Sequence, residues 1–271
     1  MPISLDQIVA ATRARVAKTK AGADIRALTR QAERHQPRGF ERALRHAAAH
    51  RFGIIAELKK ASPSKGLIRA SFHPAALADE LATSGATVLS VLTEEEFFLG
   101  SLDYLVEASA AVRIPLLRKD FIVDEFQIVE ARAHCADAIL LIVAALTDAE
   151  LRNLHSKAKE FSLDVLCEVH DETELNRAID IGFDIIGVNS RDLRTFHVDL
   201  NTALQLGPKI PANVLRVAES GIGSSDDIMR LRFAGYGAFL IGESLMRRDH
   251  PGLALRELIS AAEQAQKVAA N

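Results

Sequence analysis

The sequence predicts an α/β protein, a (β/α)8 (TIM) barrel with an N-terminal helical extension. Short apolar runs recur from residue 53 onward at a spacing of roughly 25 residues, a helical pattern follows each, and polar residues collect where the runs end. Parallel strands covered on both faces read as unbroken apolar runs, as seen here, rather than as alternating ones. The 271 residues fit one such barrel, whose usual size is about 250 residues. No linker or low-complexity segment divides them, so residues 1–271 are read as a single barrel domain, residues 1–50 being the extension packed on it.

Within the extension, Ser4 and Gln7 have capping-box spacing, and Leu5, Ile8, Val9, Thr12 and Val16 share one helical stripe. Gln36-Pro37-Arg38-Gly39 breaks the pattern before a second short helix, Phe40 to about Ala49. Neither helix has enough apolar surface to stand alone, hence the expectation that they pack on the barrel. The eight predicted strands are Gly53 to Leu58, Ala86 to Leu92, Pro115 to Arg118, Ala138 to Val143, Asp164 to Val169, Asp184 to Val188, Leu215 to Ala218 and Ala238 to Ile241. Helical patterns follow near residues 74–84, 101–112, 124–134, 147–160, 171–181, 199–206, 224–234 and 251–267. Pro74 and Pro251 fit first helical turns, Thr147, Asp171 and Ser224 fit N-caps, and Gly85, Gly182 and Gly235 fit helix ends.

Bulk properties exclude several classes. A net charge of -3 gives no electrostatic reason to expect nucleic acid or an anionic membrane as partner. The longest apolar run, Ala138 to Leu146, is too short to cross a bilayer, and the opening MPISLDQIVA lacks the basic and apolar regions of a secretory signal. Cys135 and Cys167 lack CxxC spacing and are read as reduced thiols in a cytoplasmic protein. A monomer or weak homo-oligomer is expected.

Ile54 to Gly66, IIAELKKASPSKG, is the stretch around which the rest is organised: an apolar run that ends in a carboxylate, lysines and a turn. Alternation puts Ile55, Glu57 and Lys59 on one face. Alone, Glu57 and Lys59 would read as a surface ion pair. The arrangement recurs, however, at other strand ends: Lys119 after the third run, Glu168 in the fifth, Asn189 and Arg191 after the sixth, Glu219 and Ser220 after the seventh. Leu117 with Lys119, Leu166 with Glu168, and Gly187 with Asn189 share faces, so these groups converge on one lumen. Buried charges are costly unless paired or used, and this many at one mouth point to chemistry rather than core packing.

Gly221 and Gly223 after the seventh strand and Gly242 after the eighth stand where backbone N–H groups of such barrels meet phosphate. There is no GxGxxG and no GxxxxGK[ST], so neither a dinucleotide nor a nucleoside triphosphate is indicated, and no cofactor is expected. His46 and His50 have the spacing of metal ligands but no adjacent Glu and no clear third ligand; no metal is expected. Glu94-Glu95-Glu96 reads as a solvated loop edge, while Phe97 and Phe98 either fill core or wall an aromatic pocket. Cys167 faces the helix layer, opposite to Glu168, and is not expected to be a nucleophile.

PRGFERAL, IIAELKKASPSKGLIR, TEEEFFLGS, LLRKDFIVDEFQI, LCEVH, GVNSRDL, VAESGI and FLIGESLMR, in this order from about residue 37 to 247, resemble the indole-3-glycerol phosphate synthase family of tryptophan biosynthesis. The resemblance implies ring closure of 1-(2-carboxyphenylamino)-1-deoxyribulose 5-phosphate with loss of CO2 and water, a carboxy-lyase reaction on a small phosphosugar-anthranilate substrate. It implies Lys119 as general acid and Glu168 as general base, with Glu57 and Lys59 assisting and Asn189 orienting substrate. Ser62, Arg191, Ser220, Gly221, Gly242 and the Glu243 backbone would hold phosphate or nearby hydroxyls, Glu219 would be a further substrate-binding residue, and Phe98, Phe121 and Leu193 would pack on the anthranilate ring. Glu243 departs from the Ser of many members, and Glu96 from the Lys of many. Phosphoribosylanthranilate isomerase shares fold and phosphate site but not the ExK, RKDF and NSRDL set; a non-catalytic phosphosugar-binding subunit would not keep Lys119 with Glu168. Desolvation lowers a lysine's pKa and facing carboxylates raise it, so Lys119 is expected as an ammonium still acidic enough to donate.

Overall fold

The computed structural model describes residues 4–192 and 195–269; Met1 to Ile3 and Leu193 lie outside the described residues. Eight parallel strands close into a barrel: β1 (Gly53–Leu58), β2 (Val88–Leu92), β3 (Leu116–Lys119), β4 (Ala138–Ile142), β5 (Asp164–Val169), β6 (Ile185–Asn189), β7 (Leu215–Glu219) and β8 (Ala238–Ile241). Each strand pairs with its sequence neighbours, and β8 returns to β1 through Ile55 opposite Leu240. Around them lie α4 (Pro74–Thr83), α5 (Leu102–Ala111), α6 (Glu125–Ala133), α7 (Asp148–Glu160), α8 (Glu172–Ile181), α9 (Leu200–Leu206), α10 (Ser225–Phe233) and α12 (Pro251–Ala269), with a four-residue α11 (Glu243–Met246) before the last.

Side-chain alternation builds two apolar layers. Ile55, Leu117, Leu140, Leu166, Val217 and Leu240 fill the barrel interior, while Ile54, Leu89, Leu141, Cys167, Val188 and Phe239 pack against the helices. The named caps form: Thr147, Asp171 and Ser224 each accept a backbone N–H of the first turn, and Gly85, Gly182 and Gly235 take positive φ after helix ends.

Strand ends differ from expectation in one consistent way. β3, β6 and β7 run one residue further than the apolar runs predict, to Lys119, Asn189 and Glu219, and these residues keep ladder partners: Leu92 opposite Lys119, Asn189 opposite Glu219. Their polar side chains end the apolar run without ending the backbone pairing. Strand β2 begins at Val88 rather than Ala86, and Val143 opens a single 3-10 turn. Inside the SPSKG turn, Ala61–Ser62 and Gly66–Leu67 pair as a small antiparallel hairpin.

The extension is three helices rather than two. α1 (Leu5–Gly22) starts on the expected Ser4–Gln7 capping box, and Asp24 caps a separate α2 (Ile25–Arg34). That helix has one buried residue, Ala32, packed with Val129 and Ala133 of α6, which explains its weak apolar signal. α3 (Phe40–His50) seals the bottom of the barrel, its Phe40 and Leu44 joining Ala138, Ile185, Leu215 and Ala238 at the strand starts. α1 lies at the other end, where Leu5 and Ile8 wall the mouth. Among the described residues no helix is long and apolar enough to cross a membrane.

Candidate active site

The strand ends surround a cavity of about 610 Å³ at the C-terminal mouth. Its floor is ionic. The Lys119 ammonium donates to Glu168 Oε2 at 2.8 Å and stands 3.4 Å from Glu219 Oε2. Across the barrel Lys59 Nζ is 2.6 Å from Glu57 Oε1. Every predicted site residue among the described ones lines this cavity, from Glu57 and Lys59 through Lys119, Glu168 and Asn189 to Gly242 and Glu243. The prediction for Leu193 falls outside the described residues.

Two glycines make the ionic floor possible. Gly187 shares its lumen face with Asn189, and a Cβ there would collide with the Glu219 carboxylate. A Cβ on Gly242 would likewise meet the Glu57 side chain across the β1–β8 seam. Glu57 and Glu219 thus occupy space that any larger residue would fill.

Burial alone would lower the Lys119 pKa, but the carboxylates of Glu168, Glu219 and Glu57 outweigh it and hold the ammonium well above the usual lysine range. Lys119 is thus an ammonium, as expected, but the carboxylates outweigh burial rather than balance it, so the expected acidity is not seen in the free site. The two coupled acids separate in the opposite sense. Burial favours the neutral form of both, yet Lys119 and His170 keep Glu168 well below the usual carboxylate range. Glu219 is pushed up by burial and by the neighbouring Glu168 charge, against the pull of Lys119. One lysine between two buried acids leaves one ionised and the other prone to hold a proton, the division of labour acid–base chemistry needs.

Elsewhere the cavity is lined by loop backbone, a hydroxyl and two arginines. Ser220 and Gly221 follow β7 with φ of +66° and +79°, and Gly242 to Ser244 follow β8. The Ser62 hydroxyl, from the hairpin, is buried with no hydrogen-bond partner among the described residues. Asn189 accepts from the Arg191 backbone at 3.0 Å and so fixes the turn that carries the Arg191 guanidinium. The Glu243 carboxylate lies between Arg191, at 3.3 Å, and Arg247, at 3.0 Å, so the departure at 243 adds a counter-charge beside these arginines as well as a backbone donor.

Phe98 and Phe121 face each other at 6.3 Å and make one apolar wall; Phe98, not Phe97, lines the cavity. The loop bearing them corrects another expectation. Glu94 is 1% exposed rather than solvated and accepts from the Glu96, Phe97 and Phe98 backbone N–H groups at 3.2, 2.7 and 3.1 Å. Glu95 and Glu96 are exposed, as expected. His46 and His50 sit exposed on α3, rings 4.8 Å apart, far from this cavity's lining, and no group of three potential metal ligands occurs among the described residues.

Sequence reasoning missed Leu5 and Ile8 as cavity residues, because helical periodicity gives a stripe and not its destination. It also assigned nothing to His170, which stands between Glu168 at 3.3 Å and Glu174 at 3.0 Å; a third polar residue in LCEVH was the available signal.

Comparison with known proteins agrees with this architecture. Barrels with low identity share the fold: 3-hexulose-6-phosphate synthase from Salmonella typhimurium (TM-score 0.64, 12% identity, 79% of this chain and 99% of that one) and thiamine phosphate pyrophosphorylase from Pyrococcus furiosus (0.60, 15%, 79% and 96%). Closer relatives carry one description. The indole-3-glycerol phosphate synthase of Koribacter versatilis is 59% identical over 259 residues, 96% of this chain and 100% of its own. That of Polaromonas naphthalenivorans is 48% identical over 256 residues, 94% and 97%. A family model described as indole-3-glycerol phosphate synthase matches residues 5–258. With nearly the whole chain matched in both kinds of comparison, this protein belongs to the indole-3-glycerol phosphate synthase family.

Proposed function

We propose that this protein makes indole-3-glycerol phosphate from 1-(2-carboxyphenylamino)-1-deoxyribulose 5-phosphate, with Lys119 as general acid and Glu168 as general base. The observation that carries the role assignment is the 2.8 Å Lys119–Glu168 pair on the floor of the cavity. In this reading the phosphate binds at the Ser220–Gly221 and Gly242–Ser244 backbone, with Ser62 and Arg191 beside it. The anthranilate ring packs on Phe98 and Phe121.

Ring closure joins the aromatic carbon bearing the carboxylate to the sugar ketone, and Lys119 supplies the proton taken up by the ketone oxygen. CO2 then leaves, its bonding electrons staying with the ring. The new hydroxyl departs as water, again with a proton from an acid, while Glu168 accepts the proton whose loss completes the indole. Glu57 steadies Lys59 for the substrate carboxylate or the dehydration, and Asn189 orients the substrate through the turn it fixes. Glu219, prone to hold a proton, loosens the carboxylate grip on Lys119 when the acid step requires it.

The whole chain works as one barrel domain in the cytoplasm, as a monomer or weak homo-oligomer, without metal or cofactor. The experiment is turnover of the carboxyphenylamino-deoxyribulose phosphate by purified protein, followed by indole fluorescence. Formation of indole-3-glycerol phosphate that survives exhaustive chelation is expected. An inactive, folded protein, or a phosphate density beside His46 and His50 in a ligand-bound crystal, would overturn the assignment.

A further inference from the structure

The LCEVH stretch places Glu168 in the lumen, Val169 in the helix layer and His170 just beyond the strand end. His170 is 13% exposed at its side chain, and both ring nitrogens face carboxylates. Nδ1 is 3.0 Å from Glu174 Oε2, which also accepts the His170 backbone N–H at 2.8 Å. Nε2 is 3.3 Å from Glu168 Oε1, a close ionic approach off the hydrogen-bond direction. The other Glu168 oxygen, Oε2, is the one that accepts the Lys119 hydrogen bond. Glu168 therefore stands between a lysine and a histidine, one on each oxygen.

A neutral imidazole presents one donor and one acceptor nitrogen. Here the Nε2–H tautomer would aim the Nδ1 lone pair at Glu174, and the Nδ1–H tautomer would leave the Nε2 lone pair 3.3 Å from a Glu168 oxygen, so the geometry favours the doubly protonated ring. The charged groups facing that ring are Glu168 of β5 and Glu174 of α8, with Lys119 and Glu219 beyond Glu168. Burial opposes the charge, but these two carboxylates push the His170 pKa up to about 10.

We propose that His170, anchored by Glu174, is a positioning residue: as an imidazolium it holds Glu168 ionised and turned toward Lys119 throughout the reaction. This rests on Glu168 serving as the base, and it explains how the base survives the acid step. When Lys119 gives its proton to the substrate it becomes neutral, and a carboxylate held by that lysine alone would lose its cation while buried beside a second acid, Glu219. With His170 on the second oxygen, Glu168 keeps one. Its basicity rises at that moment, when a proton acceptor is needed, without the carboxylate turning away.

Histidine 15N NMR of the free protein tests the ring without substrate. Both His170 nitrogens should stay protonated at pH 8; a neutral ring at that pH overturns the proposal. Kinetics test the consequence. His170→Gln should lower kcat by roughly tenfold or more, the size of losing a group that holds a reacting side chain in place, while KM changes by less than about twofold. Its deficit should deepen toward the acid end of the profile, because loss of the imidazolium moves the Glu168 carboxyl upward. Glu174→Gln, which keeps an acceptor for the His170 backbone, should show the same trend at smaller size, and unchanged kcat and pH profile in both variants overturn the proposal. Should His170→Gln unfold, Glu174→Gln decides alone. A parent protein that fails to turn over, or a fully active Glu168→Gln, would count against the assigned function instead. The 13C titration of the Glu168 carboxyl, which must move up in Glu174→Gln, then judges His170 separately.

Discussion

Arg118 and Lys119 are adjacent residues on opposite faces of β3, both engaged by buried carboxylates, and they do opposite things. Arg118 points into the helix layer and is completely buried. Its Nε donates to Thr93, Nη1 to the Gln127 carbonyl at 2.9 Å, and Nη2 to Asp120 and Glu130, both at 2.9 Å. Nothing there is open to a ligand. Lys119 faces the lumen with its carboxylates on one side and the 610 Å³ cavity on the other. Burial of charge marks both sites; only the one whose donors have somewhere else to go is a site for chemistry.

The comparison can be broken most strongly at Arg118. Arg118→Leu leaves Glu130 without its cation and Asp120 with only the 3.7 Å approach of Arg15, and should cost about 3–5 kcal/mol of unfolding free energy in urea titration. A loss below about 1 kcal/mol would mean the cluster is as dispensable as a surface pair. Lys119→Met should do the reverse. It leaves the urea midpoint near that of the parent and lowers kcat by at least ~10², while affinity for a phosphate-bearing substrate analogue changes far less. Near-parental kcat in folded Lys119→Met would pass the acid role to Lys59.

A gentler probe is Gly187→Ala, whose Cβ would drive into the Glu219 carboxylate. It should cost about 1–3 kcal/mol and also reduce kcat, a joint effect that neither neighbour of β3 produces singly. The smallest expected effect lies at the barrel bottom, where His35 sits 3.0 Å from Asp137. Burial disfavours its charge, but Asp137 and Cys135 raise its pKa to about 9. Folding therefore takes up a proton here: the stabilisation is complete below about pH 6.5, the unfolded value, and is lost as pH rises to 9. Unfolding scans of the parent against His35→Gln across that window should converge at high pH; parallel curves would remove the linkage.

Periodicity and turn residues were enough to read eight strands, their helices and the lumen face of each strand end, because parallel strands leave long apolar runs and helix caps leave polar punctuation. Polar residues that remain in the ladder, such as Lys119 and Glu219, hid the last step of their strands. Resemblance supplied roles, not contacts. It could not show that Glu94 turns inward to bind three backbone N–H groups, since a run of three acids looks the same whichever one is buried. Nor could it show Glu243 between Arg191 and Arg247, or His170 behind Glu168, which depend on loops meeting in space.

The seam between β1 and β8 has a consequence for how the protein is born. Glu57 belongs to the first strand made and Lys59 follows it, while Gly242, against which Glu57 packs, follows the last. A ribosome-bound chain short of residue 242 has Glu57, Lys59, Lys119 and Glu168 but no closed lumen to bring them together and no final loop to complete the mouth. Competence should thus appear abruptly near the end of synthesis, with the joining of the two ends of the sheet acting as the enzyme's own proofreading of its completeness.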